Sequence, residues 1–316
     1  MILHTQLALK SEKYSTINYN SKLCLIGSCF SKNMATKFLY YKFQCFQNPF
    51  GILFHPKAIE NLISRAVNKK PYIKKDIFYH NELWHSFDAH LQLSSQSEKE
   101  LLNKLNTAVK STLKQLKNTT HFIVTLGTAW VYILLKNKCI VANCHKLSQK
   151  KFLKQILSVE QIKQSLNAIN TLVKSINKEI CIVYTISPVR HLKDGFVENQ
   201  QSKAHLITAI HQTINKANNI NYFPSYEIMM DELRDYRFYA EDMIHPNTMA
   251  VNYIWEKFKQ VWVSEDAQEL MLKVESIQKE LTHQPFNPDT ELHKKFLKKL
   301  ALKQTALKKQ HPFISF

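Results

Sequence analysis

Short apolar runs alternate with segments whose apolar residues recur every three or four positions. Lys22–Ile26 (KLCLI) is an apolar run that stops at Gly27, and Phe30, Met34 and Phe38 then mark one face of a helix over Cys29–Tyr41. Phe43–Phe46 reads as a second strand, followed by a turn at Asn48-Pro49-Phe50-Gly51 and a helix over Lys57–Val67. Aromatic alternation over 76–93, broken at Asn81-Glu82, predicts a hairpin outside the main sheet. A charged helix near 97–117 leads to the strand His121–Leu126, and a second hairpin joins Val131–Leu135 to Cys139–Val141 through Asn137-Lys138. Helices are expected over 148–177 and 199–218, strands at Ile180–Ile186 and Tyr222–Ile228, and an amphipathic helix at Thr248–Trp262. Five apolar strands separated by helices predict an α/β fold with a mostly parallel, doubly wound sheet. The stretch from about 263 to 316 is Lys-rich, helical and free of strand signals, and is expected to pack as an appended helical extension to the domain 1–262.

The four glycines change this picture, because Gly27, Gly51 and Gly127 each border a predicted strand. Ligands in doubly wound sheets bind beyond the carboxyl ends of the strands, where glycine lets a substrate approach the backbone. Ser28 follows Gly27 between strand and helix, at the place where unpaired helix amides favour a developing oxyanion. A serine hydroxyl needs a base, and Asp242-Met243-Ile244-His245-Pro246 supplies one on a loop entering the helix at Asn247-Thr248. There Asp242 can reach Nδ1 of His245 and leave Nε2 to take the Ser28 proton. The expectation is a Ser28 hydroxyl in the cleft, within hydrogen-bonding reach of His245, and a Cys29 side chain turned to the core. Alone, Ser28 reads as a helix N-cap, and Cys29 and His191 are the rival nucleophile and rival base.

Together Gly27-Ser28-Cys29-Phe30, Asn48-Pro49-Phe50-Gly51, Gly127-Thr128-Ala129-Trp130, Ser187-Pro188-Val189-Arg190-His191 and the Asp242–Pro246 segment resemble the bacterial GSCFA-domain family, which is similar to the SGNH/GDSL hydrolases. The resemblance spans roughly residues 20–262. It implies a flavodoxin-like three-layer α/β/α sandwich, a Ser28–His245–Asp242 triad acting on carboxylic esters (O-acetyl groups of a glycan among them) and no cofactor or metal. It also implies an oxyanion hole from the Ser28 N–H, a glycine N–H and an asparagine side chain. Where the SGNH pattern has Asn-Asp this chain has Ala129-Trp130, so Asn48, the Gly51 N–H, or the Gly127 and Thr128 backbone must substitute. Acyl transfer by the same triad, or a non-catalytic binding protein that kept the fold, are the alternatives.

Arg190 and His191 follow the fourth strand on the same rim and are candidates to bind the substrate. Trp84 and His90, in the lid-like insertion 52–120, are candidate wall residues. The net charge of +18 raises a nucleic-acid partner, but only four of the 43 basic residues are Arg, the bidentate reader of phosphate and guanine, and the lysines are spread. The six cysteines read as reduced thiols and Cys139, Cys144 and His145 lack metal-site spacing. With no apolar run long enough for a membrane span and no basic-apolar leader, a cytoplasmic location is expected.

Overall fold

The computed structural model describes residues 5–316. The chain runs β1 (Lys22–Gly27), α1 (Cys29–Tyr40), β2 (Gln44–Gln47), α2 (Pro56–Val67), the hairpin β3 (Phe78–His80) and β4 (Leu83–His85), and α3 (Glu98–Asn118). It continues through β5 (His121–Leu126), β6 (Trp130–Leu134), β7 (Cys139–Val141), β8 (Phe152–Ile156), α4 (Val159–Ile176), β9 (Cys181–Ile186), α5 (Phe196–His211) and β10 (Ile220–Phe223). A single turn, α6 (Ser225–Glu227), runs into a π-helix at Ile228–Leu233, and α7 (Thr248–Trp262), α8 (Glu265–Leu281) and α9 (Glu291–Gln310) complete the chain.

The central sheet has the order β10-β9-β5-β1-β2 and every pairing in it is parallel. That order reverses direction between β1 and β5, the switch point of a flavodoxin-like doubly wound sheet. Strand residues divide by parity. Cys24, Ile26, Phe122 and Val124 join the core under α2, α3, α4 and α5, while Leu23, Leu25 and Ile123 face the core under α1, α7, α8 and α9. The three-layer α/β/α sandwich expected from the sequence is therefore present, and the Lys-rich extension packs on the α1–α7 side. Within 52–120, α2 and α3 belong to a helical layer, and the β3–β4 hairpin stands outside the sheet with its Asn81-Glu82 turn at positive φ. Among the described residues no helix is long and apolar enough to cross a membrane.

Three expectations about elements need correction. The region 148–177 is not helical throughout: Phe152–Ile156 is a strand that pairs with β6, giving a three-stranded β7-β6-β8 sheet. Its alternating burial is the period-2 signal that the longer helical pattern after it hid. The last parallel strand ends at Phe223, because Pro224 breaks the ladder before the tight α6 turn. The helix expected over 199–218 spans Phe196–His211.

Gly27 permits the close approach of β1 and β5 at the switch point. It has φ +148, and a Cβ there would lie 2.2 Å from the Thr125 carbonyl oxygen. Gly27→Ala is expected to cost ~3 kcal/mol or more from strain and overpacking, read as a lower midpoint in urea unfolding. A midpoint within error of the parent would show that the strand ends can separate. His55 caps α2: its Nδ1 accepts the Ala58 N–H and its Nε2–H donates to the Val141 carbonyl. Burial lowers its pKa to about 4, so the folded state holds it neutral while the unfolded chain takes up a proton near its ordinary ~6.5. His145, also lowered to about 4, acts in the same sense. Stability is expected to be full above about pH 6.5 and to fall as pH falls toward 4, with a shallower slope in His55→Asn. Thermal melts across this range check it.

Candidate active site

The carboxyl ends of β1, β5 and β9 gather the sequence motifs. Gly27 ends β1 and its N–H donates to the side-chain oxygen of Asn48, 2.9 Å away. Ser28 follows as the N-cap of α1 with extended backbone (φ −67, ψ 178), and its N–H donates to the Thr125 carbonyl. Its side chain does not cap the helix. Ser28 is 2 % exposed, and its Oγ is buried with no hydrogen-bond partner among the described residues. Cys29 is only half-buried, and its own amide and that of Phe30 bond its sulfur. Cys29 packs partly against the core that holds Phe30 and Met34, the side expected for it, and the Ser28 hydroxyl is buried rather than open to the cleft. Burial still pushes the Cys29 thiol above its ordinary range, and these amides and Lys203 only partly offset it.

The loop between the π-helix and α7 forms the predicted acid–base pair. Asp242 Oδ2 lies 2.7 Å from His245 Nδ1, while its Oδ1 accepts the Ile244 and His245 amides at 2.9 and 3.0 Å. Met243 takes positive φ (57°) to close this turn, and Asn247 then caps α7 through the Ala250 amide. A carboxylate can only accept, so Nδ1 carries the proton and Nε2 is left as the acceptor. The three donors, backbone and side chain, hold the Asp242 carboxyl down at about 2. His245 is half exposed and does not touch Ser28 Oγ, so the expected Ser28–His245 hydrogen bond is not made.

Two through-space interactions tie this pair to the rest of the site. Asp242 acts on the Cys29 thiol, and His245 on His191. The Arg190 amide also donates to the Ile244 carbonyl at 3.1 Å, joining the loop after β9 to the Asp242–His245 loop. His191 is held through its amide by the Asn199 side chain, and its Nε2 is buried without a partner against Gly127. A Cβ on Gly127 would come within 3.0 Å of that nitrogen. Burial first, then the charges of Lys203 and His245, push the His191 imidazole down to about 3. His191 is therefore a neutral wall of the site.

The substitutes expected for the missing asparagine fare unequally. Gly51 N–H donates to the Asn48 carbonyl, and the Gly127 and Thr128 amides both donate to the Phe54 carbonyl. Like the Ser28 amide, all are consumed by the fold. Asn48 alone keeps a donor: its oxygen is fixed by Gly27, and its Nδ2 bonds no described residue. Thr128 turns its hydroxyl to Ser202 instead, which also receives the Ala129 amide. Trp130 donates from Nε1 to the Glu198 carbonyl.

Arg190 stacks its guanidinium on Tyr239 (4.6 Å) and borders a groove of about 450 Å³ with Gln200, Tyr226, Met230, Arg234 and Tyr236. A larger hollow of 770 Å³ lies by Lys174, Lys216 and Ile220, at the amino end of β10 and away from this chemistry. His90 packs against Gly51, where a Cβ would come within 2.5 Å, so it stands on the rim. Trp84 pairs with Ser95 through its backbone and rests on Tyr79, as part of the hairpin's own packing.

Lys203 was missed. It lies on α5, 1 % exposed, and donates to the Gly127 and Ser187 carbonyls. The signal was present: Asn199, Lys203, Leu206 and Ile210 share the buried stripe of α5, where a lysine is out of place.

The half-buried Cys29 thiol, held protonated, should react with iodoacetamide at neutral pH more slowly than exposed Cys139. Time-resolved peptide mass spectrometry measures both rates, and faster labelling of Cys29 would reveal a thiolate there.

The GSCFA family model matches residues 22–258, and the model of the GSCFA domain protein C-terminal domain matches 274–316. A comparison with curated proteins finds no match. With more than half of its length matched, and with the motif loops meeting at one end of the sheet, this chain belongs to the GSCFA family.

Proposed function

We propose that the chain is a carboxylic-ester hydrolase, or an acyl-transfer enzyme, built on the plan of the SGNH/GDSL hydrolases. The observation that carries this reading is the Asp242–His245 pair, fixed at 2.7 Å with Nε2 open and acting through space on Cys29, next to Ser28, and on His191. Ser28 Oγ has no hydrogen bond to any described residue in its buried position, and an unsatisfied buried hydroxyl costs about 1–3 kcal/mol. In this reading the Ser28 side chain turns to meet His245 Nε2 for the reaction. His245 takes the Ser28 proton as the hydroxyl attacks the acyl carbon, and Asp242 stabilises the imidazolium. Asn48 Nδ2 is the donor left to meet the oxyanion. His245 returns its proton to the leaving alcohol, and water or a second alcohol then releases the acyl group. O-acylated carbohydrate is the substrate class we propose, on the likeness to SGNH hydrolases. The six free thiols support a reducing compartment, and we place the protein in the cytoplasm.

A second reading, a binding protein that kept the fold, draws support from the buried Ser28 hydroxyl and the consumed backbone donors. Fluorophosphonate labelling and turnover of short-chain aryl esters separate the two. The hydrolase should label at Ser28 and lose labelling in Ser28→Ala. Asp242→Asn should fold normally and lose ~10²–10⁴ in kcat, because asparagine cannot stabilise the imidazolium. A wild-type chain that neither labels nor hydrolyses would establish the binding protein.

A further inference from the structure

Lys203 has no part in the steps above, yet it is the most enclosed cation of the site. Its Nζ lies 2.8 Å from both the Gly127 and the Ser187 carbonyl oxygens. These residues follow directly on β5 and β9, whose last pair is Leu126–Ile186, so the ammonium bridges two neighbouring strands where their ladder ends. Gly127 in turn carries the close contact with His191 Nε2, and Ser187 opens the loop to Arg190 and His191. Pinning the two carbonyls therefore sets the position of the His191 wall.

The electrostatic setting is as specific as the geometry. Lys203 makes no ion pair among the described residues, and its hydrogen bonds go to neutral carbonyls. The groups facing it are the Cys29 thiol from α1, the His191 imidazole after β9, the Tyr226 ring at 5.2 Å, and the Glu227 carboxylate. Glu227 receives the Tyr222 hydroxyl on both oxygens, and Asp242 is spent on His245. A buried ammonium without a carboxylate partner is costly, and burial draws the pKa of Lys203 down to about 7. His191 beside it is lowered too, partly by the Lys203 charge. Burial is the first cause of both shifts; Glu227 pulls Lys203 the other way but is engaged by the Tyr222 hydroxyl, so the ammonium is left without an ion pair among the described residues.

We propose that Lys203 is the positioning cation of this site: it fixes the Gly127 and Ser187 carbonyls and balances the negative charge of a carboxylate or oxyanion held above them at the Ser28 turn. It acts from beneath the floor, without touching the ligand. The oxyanion half of this statement rests on the hydrolase reading; the anion-binding half does not.

Acetate, the product anion of an acetyl ester, is the probe. At about pH 8 a Lys203 that titrates near 7 is mostly neutral, so an arriving anion should draw a proton onto it. Calorimetry in two buffers of different ionisation enthalpy should show uptake of up to about one proton per acetate bound by the wild-type chain, and none by Lys203→Gln. In ester turnover, wild-type kcat should fall as pH rises through about 7, and Lys203→Gln should lose that limb. The variant's kcat should drop ~10²-fold while KM moves less than about threefold. Acetate bound without proton uptake, or equally well by the variant, overturns the proposal, as does a variant that only melts lower with kcat and pH profile unchanged. The wild-type proton count decides even if Lys203→Gln does not fold. A wild-type chain that takes up the proton but turns over no ester removes the hydrolase reading and leaves the cation site standing.

Discussion

The contact between the end of β1 and the Thr125 carbonyl governs the site. Gly27 lies so close to that oxygen that a side chain has no room, and the next amide, of Ser28, donates to the same atom. The sheet reverses its winding between these two strands, so helices leave toward opposite faces and a cleft opens above them. The β1–β5 hydrogen bonds thus continue one residue past β1, delivering Ser28 to the floor of the cleft and the first turn of α1 to its edge. The same continuation uses up the Ser28 amide, which fixes what the residue can still do.

Other strand-end amides are used in a similar way. The Phe54 carbonyl, brought in by the segment before α2, accepts both Gly127 and Thr128, and Asn48 accepts Gly27 with its side chain and Gly51 with its backbone. A floor whose amides point into the fold has few donors to offer a ligand. The positive charge lies instead below, on Lys203. Stability and chemistry are in tension here: the bonds that close the ends of the parallel ladder remove donors an oxyanion would use, and the buried cation offsets that loss without contact.

The two helical layers were legible because the helices that cover the sheet carry apolar stripes and β1, β5 and β9 bury both faces. Cys24 and Ile26 against Leu23 and Leu25 show the parity that splits one short run between two cores. The Asp242–His245 pair was legible for a local reason: three residues of loop ending before a proline bring carboxylate and imidazole together with no help from the rest of the chain. That the buried Ser28 hydroxyl makes no bond to His245 was not: the Ser28 amide is tied to the Thr125 carbonyl, a partner on another strand. Strand β8 was lost in a region read as helix because an isolated alternation of five residues has weight only once β6 offers it an edge.

The sequence by itself determined the layered α/β plan, the turn that carries Ser28, and the carboxylate–imidazole pair, since all depend on periodicity or on contacts within a few residues. The tertiary structure decided which strand-end amides are used, that the Ser28 hydroxyl is buried without a bond to His245, and that a lysine on α5 lies beneath the floor. Those outcomes depend on carbonyls at Thr125, Phe54, Gly127 and Ser187 meeting donors from distant parts of the chain. Backbone carbonyls are the same at every residue, so no side-chain pattern records where they go until the strands are side by side.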